Sequence, residues 1–305
     1  MPAHSKSSGT VCRVDPYLGR RAWRSLEAVH GMIYFTPHAQ PAYEAVGVVG
    51  RGAARMGYFG SRAAAMGAVP AEVVMATFYN FNPELVRRSV PRVWGLASPD
   101  AILTARLHAV DVSLRSAFSD ATLMSPDFNE TVMLTRAAAD VACERPEGRP
   151  LFAAHSQLAW PDEPHLALWH AQTLLREFRG DGHIAALVIE GLSGIEALIS
   201  HAAAGDVPAA ALMGTRAWSL DAWEVGSDEL RRRGLIEPAG ELAFTTLGRE
   251  QRQRIEDTTD RLAVSPYAAL GERSCERLRD LGRPLSQAIV DAGLLTIDPA
   301  RFLDD

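Results

Sequence analysis

The sequence predicts a mainly α-helical fold of two consecutive helical units, with a small β-ribbon in the second. Three observations carry this expectation. Apolar residues recur at helical spacing through most of the chain. Two apolar pairs, Leu235 with Ile236 and Leu242 with Phe244, flank a tight Ala239-Gly240 turn between helical stretches. A self-comparison offset by 124 positions pairs Pro37 with Pro161, Arg55 with Arg179, Gly67 with Gly191, Glu72 with Glu196, Arg92 with Arg216 and Trp94 with Trp218. These matches are few. Proline, glycine and tryptophan nevertheless punctuate structure, so the halves read as diverged copies of one unit.

The elements follow in order. Residues 1–20 are polar and lack an apolar run, which predicts a disordered leader and no signal peptide. Residues 21–141 form the first unit, a degenerate copy without the ribbon. Its segment 23–35 has helical spacing, and Thr36-Pro37 fits a stop followed by an N-cap and a first-turn proline. The stretch 79–83 reads as a turn in which Asn82 caps a helix beginning at Pro83. Residues 98–118 make the clearest helix. Ser98 caps it, Pro99 begins it, and Ile102, Leu103, Leu107, Val110 and Leu114 form its buried stripe.

Residues 142–165 are rich in proline and are expected to link the two units. The second unit, 166–292, opens with a helix on Leu168, Ala171, Leu175 and Phe178. Gly180 then fits a helix C′ position and Asp181 the next N-cap, so 176–187 reads as a joint between two helices. A helix through "SLDAWEVGSDELRRR", the ribbon, and a helix from about Thr246 complete this unit. Residues 293–305 are expected to be a tail.

Composition narrows the function. The chain has 305 residues, 47% of them hydrophobic, and a formal net charge of -6, which disfavours a strong nucleic-acid binder. Three scattered cysteines, Cys12, Cys143 and Cys275, without a CxxC pair, fit reduced thiols in the cytoplasm. The most apolar stretch is interrupted by Glu190 and Glu196, which argues against a membrane span.

Helix, two-stranded ribbon, helix is the pattern of a winged helix-turn-helix. The string "ELRRRGLIE…GELAFTTLGR" resembles the recognition helix and wing of MarR-type regulators. Longer stretches, "YFTPHAQPAYEAVG", "MGYFGSRAAAMGAVPAEVVMATFYNFNPELVRRSVPRVWGLASP" and "RPLFAAHSQLAWPDEPHLALWHAQTLLREFRGDGHIAAL", resemble an actinobacterial family of helix-turn-helix proteins over about residues 20–290. The resemblance implies two MarR-like winged-helix units fused in one chain as a pseudo-dimer. Two positions depart from it. His38 stands where the family pattern has an acidic residue, and His155 where a smaller polar residue is usual.

The expected recognition helix is a poor DNA reader. Its solvent-side residues include Asp221, Glu224, Asp228 and Glu229, and the wing tip is Glu237-Pro238-Ala239-Gly240-Glu241. Neither offers a cation to a phosphate. In the first copy the matching helix has Arg106 and Arg115 further along. The leading expectation is therefore a small-molecule-binding protein derived from a ligand-responsive regulator, with a ligand in a cleft between the units and DNA binding weak or lost. The ligand-binding set is His30, Tyr34, His38, Tyr58, Arg62, Tyr79, Asn80, His170, Arg176 and Arg179.

Two alternatives stand beside it: a DNA-binding regulator of MarR type, and a secondary-metabolism enzyme using His183 and Asp181 as acid–base partners with arginines for an anionic substrate. Glu177, seven residues after His170, shares its helix face. No HExxH, CxxC, GxSxG or glycine-rich phosphate loop occurs, so the sequence identifies no metal or cofactor. Arg179-Gly180-Asp181 as an adhesion tripeptide is rejected, because the segment belongs to a helical joint. A monomer or a homodimer both fit.

Overall fold

Polar caps start many of the helices. Asn82 accepts the Glu84 N–H, Ser98 the Ala101 N–H, Ser125 the Phe128 N–H, Ser219 the Ala222 N–H and Thr245 the Gly248 N–H. Ser193 and Glu196 complete a reciprocal capping box. The computed structural model describes residues 15–205 and 207–295. These hold α1 (Pro16–Arg24), α2 (Glu27–Gly31), a 3-10 turn (Met32–Tyr34), α3 (Ala39–Ala45), α4 (Ala53–Ala63), a second 3-10 turn (Ala64–Met66), α5 (Ala71–Phe78), α6 (Pro83–Leu96), α7 (Pro99–Ala117), α8 (Asp120–Leu123) and α9 (Pro126–Cys143). They continue with α10 (Pro150–Ser156), α11 (Pro164–Ile189), α12 (Gly194–Ala203), α13 (Ala209–Arg216), α14 (Leu220–Arg232), α15 (Thr246–Ala263), α16 (Ser265–Leu270) and α17 (Glu272–Asp291).

Three hydrophobic clusters organise them. The largest draws on both halves: Leu26 just before α2 and Val29 within it, Ile102 and Leu114 of α7, Phe128 of α9, Leu168 and Phe178 of α11, and Leu278 and Ile289 of α17. A second joins the end of α11 to α12, α13, α14 and α15 through Leu187, Ile199, Leu212, Trp223, Leu230 and Ile255. A third unites α4, α5, α6 and α10 through Phe59, Val74, Phe78, Phe81, Val90 and Leu151. Among the described residues no single helix is long and apolar enough to cross a membrane; α11 and α12 pass that test only as a pair bent by 98°.

Several expectations are revised. The joint at 176–187 does not exist: α11 runs unbroken through Gly180 and Asp181. A C′ glycine needs positive φ, which Gly180 lacks. Here packing overrides the local stop signal. A Cβ on Gly182 would stand 3.3 Å from Leu262 Cβ, so the glycine lets α15 approach closely. The two-stranded wing reduces to one antiparallel bridge, Ile236 with Phe244. Two backbone bonds flank it, Glu237 N–H to Ala243 O and Thr245 N–H to Leu235 O. Pro238 has no N–H to extend a ladder.

The boundaries shift too. α1 starts inside the expected leader; residues 1–14, with Cys12, lie outside the described residues. The expected linker is a packed part of the fold, since it contains α10 with Leu151, Phe152 and His155 buried. The expected tail begins with Leu294 and Leu295 in the main core, and 296–305 lie outside the described residues. Segment 23–35 breaks into the end of α1, α2 and the first 3-10 turn. α3 starts two residues later than Pro37, although Thr36 Oγ1 does accept the His38 N–H at 3.3 Å.

Candidate functional site

α4 presents Arg55, Tyr58 and Arg62 along one face, as the spacings of three and four dictate. One turn of α11 faces them with Arg176 and Glu177. Arg62 Nη2 donates to both Glu177 oxygens, at 3.1 and 3.2 Å, and Arg176 Nη1 reaches Glu177 Oε1 at 3.2 Å. Arg176 also donates to Glu27 of α2 at 3.1 Å. Burial would raise the Glu177 carboxyl, but the two guanidiniums hold it at about 2. Aromatic rings floor this cluster. The Arg62 guanidinium lies 5.5 Å from the Tyr34 ring centre, 5.7 Å from Tyr58 and 4.4 Å from Phe78. Tyr58 OH accepts from Arg62 Nη1 at 3.1 Å. Burial opposes ionisation of that phenol, yet Arg62, Arg216 and Arg176 pull its pKa below the usual value.

The far wall comes from α13. Arg216, the last residue of α13, lies over Phe81 at 4.7 Å. Arg55 donates to the Thr215 carbonyl at 2.9 Å. Burial and the charges of Arg62, Arg55 and Arg176 lower the Arg216 pKa. Arg62 Nε and Arg216 Nε are both buried without a partner. Four arginines thus converge on a zone with two carboxylates. The joint behind them, where residues 79–82 meet 216–218, is strained. Tyr79 at φ 47° and Ala217 at φ 58° are the non-glycine residues with positive φ among those described. Asn82 N–H donates to Arg216 O at 3.0 Å, Asn82 Nδ2 to Ala217 O at 2.9 Å, and Trp218 Nε1 to Asn80 O at 2.9 Å.

Deeper in the same interior, His30 bonds Thr173 Oγ1 at 2.9 Å and Tyr34 OH at 2.7 Å, and stacks on Trp169 with centroids 6.0 Å apart. Arg106 of α7 is 1% exposed and lies over Trp169 at 4.9 Å. His155 and His170 flank this region. Burial first, and Arg106 second, push His155 down to about 3 and His170 to about 4, so both rings are neutral at pH 7.

Of the residues expected to bind ligand, His30, Tyr34, Tyr58, Arg62, His170 and Arg176 are brought to this interior. The others are not. The His38 ring makes no hydrogen bond or ion pair among the described residues, and sits at the start of α3. Tyr79 and Asn80 serve the joint: Tyr79 OH donates to Leu192 O, and Asn80 acts through its carbonyl. Arg179 points to α15, bonding Asp260 at 2.7 Å, and lines a groove with Trp23 and Tyr267.

His183 and Asp181 do not form an acid–base pair. Two residues apart on a helix is about 200° of rotation. His183 Nδ1 meets Thr259 Oγ1 at 2.9 Å, on the α15 side. Asp181 Oδ2 accepts the Phe152 N–H at 3.0 Å, capping the start of α10 across space. Burial raises its carboxyl to about 6. Among the described residues no cluster of three His, Cys, Asp or Glu could hold a metal.

Sequence reasoning missed Arg106 and Arg216. Arg106 had been counted with the DNA-facing cations; its signal was its place four residues from both Ile102 and Val110, on the buried stripe of α7. Arg216 had none, because only the fold carries it to Tyr58.

The segment in which the sequence places the recognition helix and wing is α14 with the bridged loop after it. Asp221, Glu224 and Asp228 of α14 are exposed, as are residues 237–241 of the loop. Arg231 pairs with Asp228, Arg232 with Glu229, and Arg233 with Glu196. The basic end of α14 is therefore neutralised in place. No curated protein and no solved structure matches the chain. One family model does, across residues 19–296, and by that match the chain belongs to a helix-turn-helix family.

Proposed function

We propose that this protein binds an anionic small molecule between its two units, and that its contact with DNA is weak. In this reading the halves are two MarR-like winged-helix units forming a pseudo-dimer, the first without a wing. Three paired positions support the duplication. Gly67 and Gly191 both take positive φ just before α5 and α12, and Glu72 and Glu196 both lie in the first turns of those helices. Trp94 and Trp218 each donate an indole N–H to a carbonyl at 2.9 Å.

The observation that carries the ligand reading is the convergence of Arg55, Arg62, Arg176 and Arg216 beside Tyr34, Tyr58 and Phe81. A carboxylate or sulfonate on an aromatic frame matches both the charges and the rings. The anionic dye anilinonaphthalene sulfonate is a direct probe. It should bind one site, and Arg216→Ala should weaken it at least tenfold with little change in melting temperature. Equal affinity in wild type and variant removes the cleft as a ligand site.

The second reading, a DNA-binding regulator, is favoured by family membership. Anisotropy of a labelled random duplex in about 50 mM salt separates the two. No binding at tens of micromolar is the expected result. Binding that collapses by about 200 mM salt would make the regulator the better reading. The enzyme reading has lost the pair it needed.

A further inference from the structure

Arg106 poses a separate physical problem, which stands whether or not the outer cleft takes a ligand. Its side chain is buried, and its one hydrogen bond is from Nη1 to the Ser61 carbonyl at 3.1 Å. Nε and Nη2 have no partner. A guanidinium this far from water needs a counter-charge. No carboxylate among the described residues pairs with it, and Glu177 and Asp111 are committed elsewhere, to Arg62 and Arg176 and to Arg115 and His165. What surrounds Arg106 is neutral. Trp169 lies beneath it, and His155, His170 and His30 all feel its charge.

The free atoms are informative. Nε–H and Nη2–H form the parallel edge of the guanidinium, which grips the two oxygens of a carboxylate side-on. Trp169 Nε1, 5% exposed in its residue, is a third unpartnered donor. The Nε2 atoms of His155 and His170 are likewise buried and unpartnered. We infer that the Arg106 edge and the Trp169 indole form a buried site for a carboxylate, between α7, α10 and α11. That carboxylate comes either from a free small acid or from the acid end of a larger metabolite.

The test is thermal melting at constant ionic strength, with sodium sulfate as balancing salt, titrating formate, acetate, hexanoate and chloride. A ligand of the folded state raises Tm with the logarithm of its concentration. Formate and acetate should raise wild-type Tm by about 3 °C or more. Arg106→Met should respond to neither, and Trp169→Phe, which keeps the ring and removes the N–H, should need about tenfold more formate. Hexanoate binding tenfold tighter than acetate assigns the carboxylate to a larger metabolite; equal affinity assigns it to a small acid.

Should Arg106→Met fail to fold, the indole N–H resonance absent from Trp169→Phe is the readout. It should shift on adding formate to the wild type. A flat wild-type response, chloride acting as well as formate, or an unmoved indole resonance overturns the site.

Discussion

Glu177 is one carboxylate shared by two arginines; it is buried with Arg62, while Arg176 is half-buried. Arg176 also has Glu27, but Arg62 pairs with no other carboxylate among the described residues. Glu177→Ala should therefore cost about 3–5 kcal/mol, because Arg62 is left buried and unpaired; urea unfolding reads this directly. Asp181 makes a different kind of contact. Asp181→Ala should cost about 1–2 kcal/mol through the lost cap on α10, whereas Asp181→Asn keeps an acceptor and should cost less. The sign with pH follows from a folded pKa of about 6 against an ordinary 3.8. The pH-dependent part of the Asp181 contribution is full below 3.8 and is lost as pH rises through about 6, while the bond from Phe152 N–H persists. The Asn variant should lack this dependence. At this scale the sequence was partly readable. Residue types such as Arg62, Tyr58 and Arg176 announced an interior polar cluster. Direction did not follow, since Asp181 and His183 have the right chemistry and face opposite sides of α11.

Helices with polar caps were legible in advance. Asn82 and Ser98 start α6 and α7 as their neighbours in sequence require. α11 was not, because Gly180 and Asp181 carry every local mark of an ending, and contacts with α15 and α10 outweigh those marks. Arg179 with Asp260 and His183 with Thr259 are among those contacts. Glycines elsewhere separate two roles. A methyl on Gly194 would overlap the Tyr79 carbonyl, while Gly214 of α13 meets nothing within 4 Å. Gly194→Ala should then destabilise by at least about 2 kcal/mol. Gly214→Ala should stabilise by about 0.5–1 kcal/mol. Paired thermal melts distinguish them, and equal effects would contradict the close fit at the joint.

Across the whole molecule, four histidines held below their ordinary pKa, His30, His155, His170 and His183, set the response to acid. His155 at about 3, and His170 and His183 at about 4, stay neutral in the fold, while their ordinary value is 6.5. Their stabilising effect is complete above 6.5 and is lost as pH falls toward the folded values, by about 1.4 kcal/mol per unit for each ring. Asp181 and Glu27, whose carboxyls burial raises, oppose this. The melting temperature should fall from pH 7.5 to pH 5; a constant or rising value would contradict neutral buried rings. The largest core, spanning both halves, was invisible in the sequence, because periodicity assigns a face to each helix but no partner. It also dictates when the protein can exist. Ser25 accepts from Ser286 Oγ at 2.6 Å, and Gly282 packs on Ser25 and Leu26. α1 and α2 are synthesised about 250 residues before α17, so their apolar faces stay uncovered until it follows.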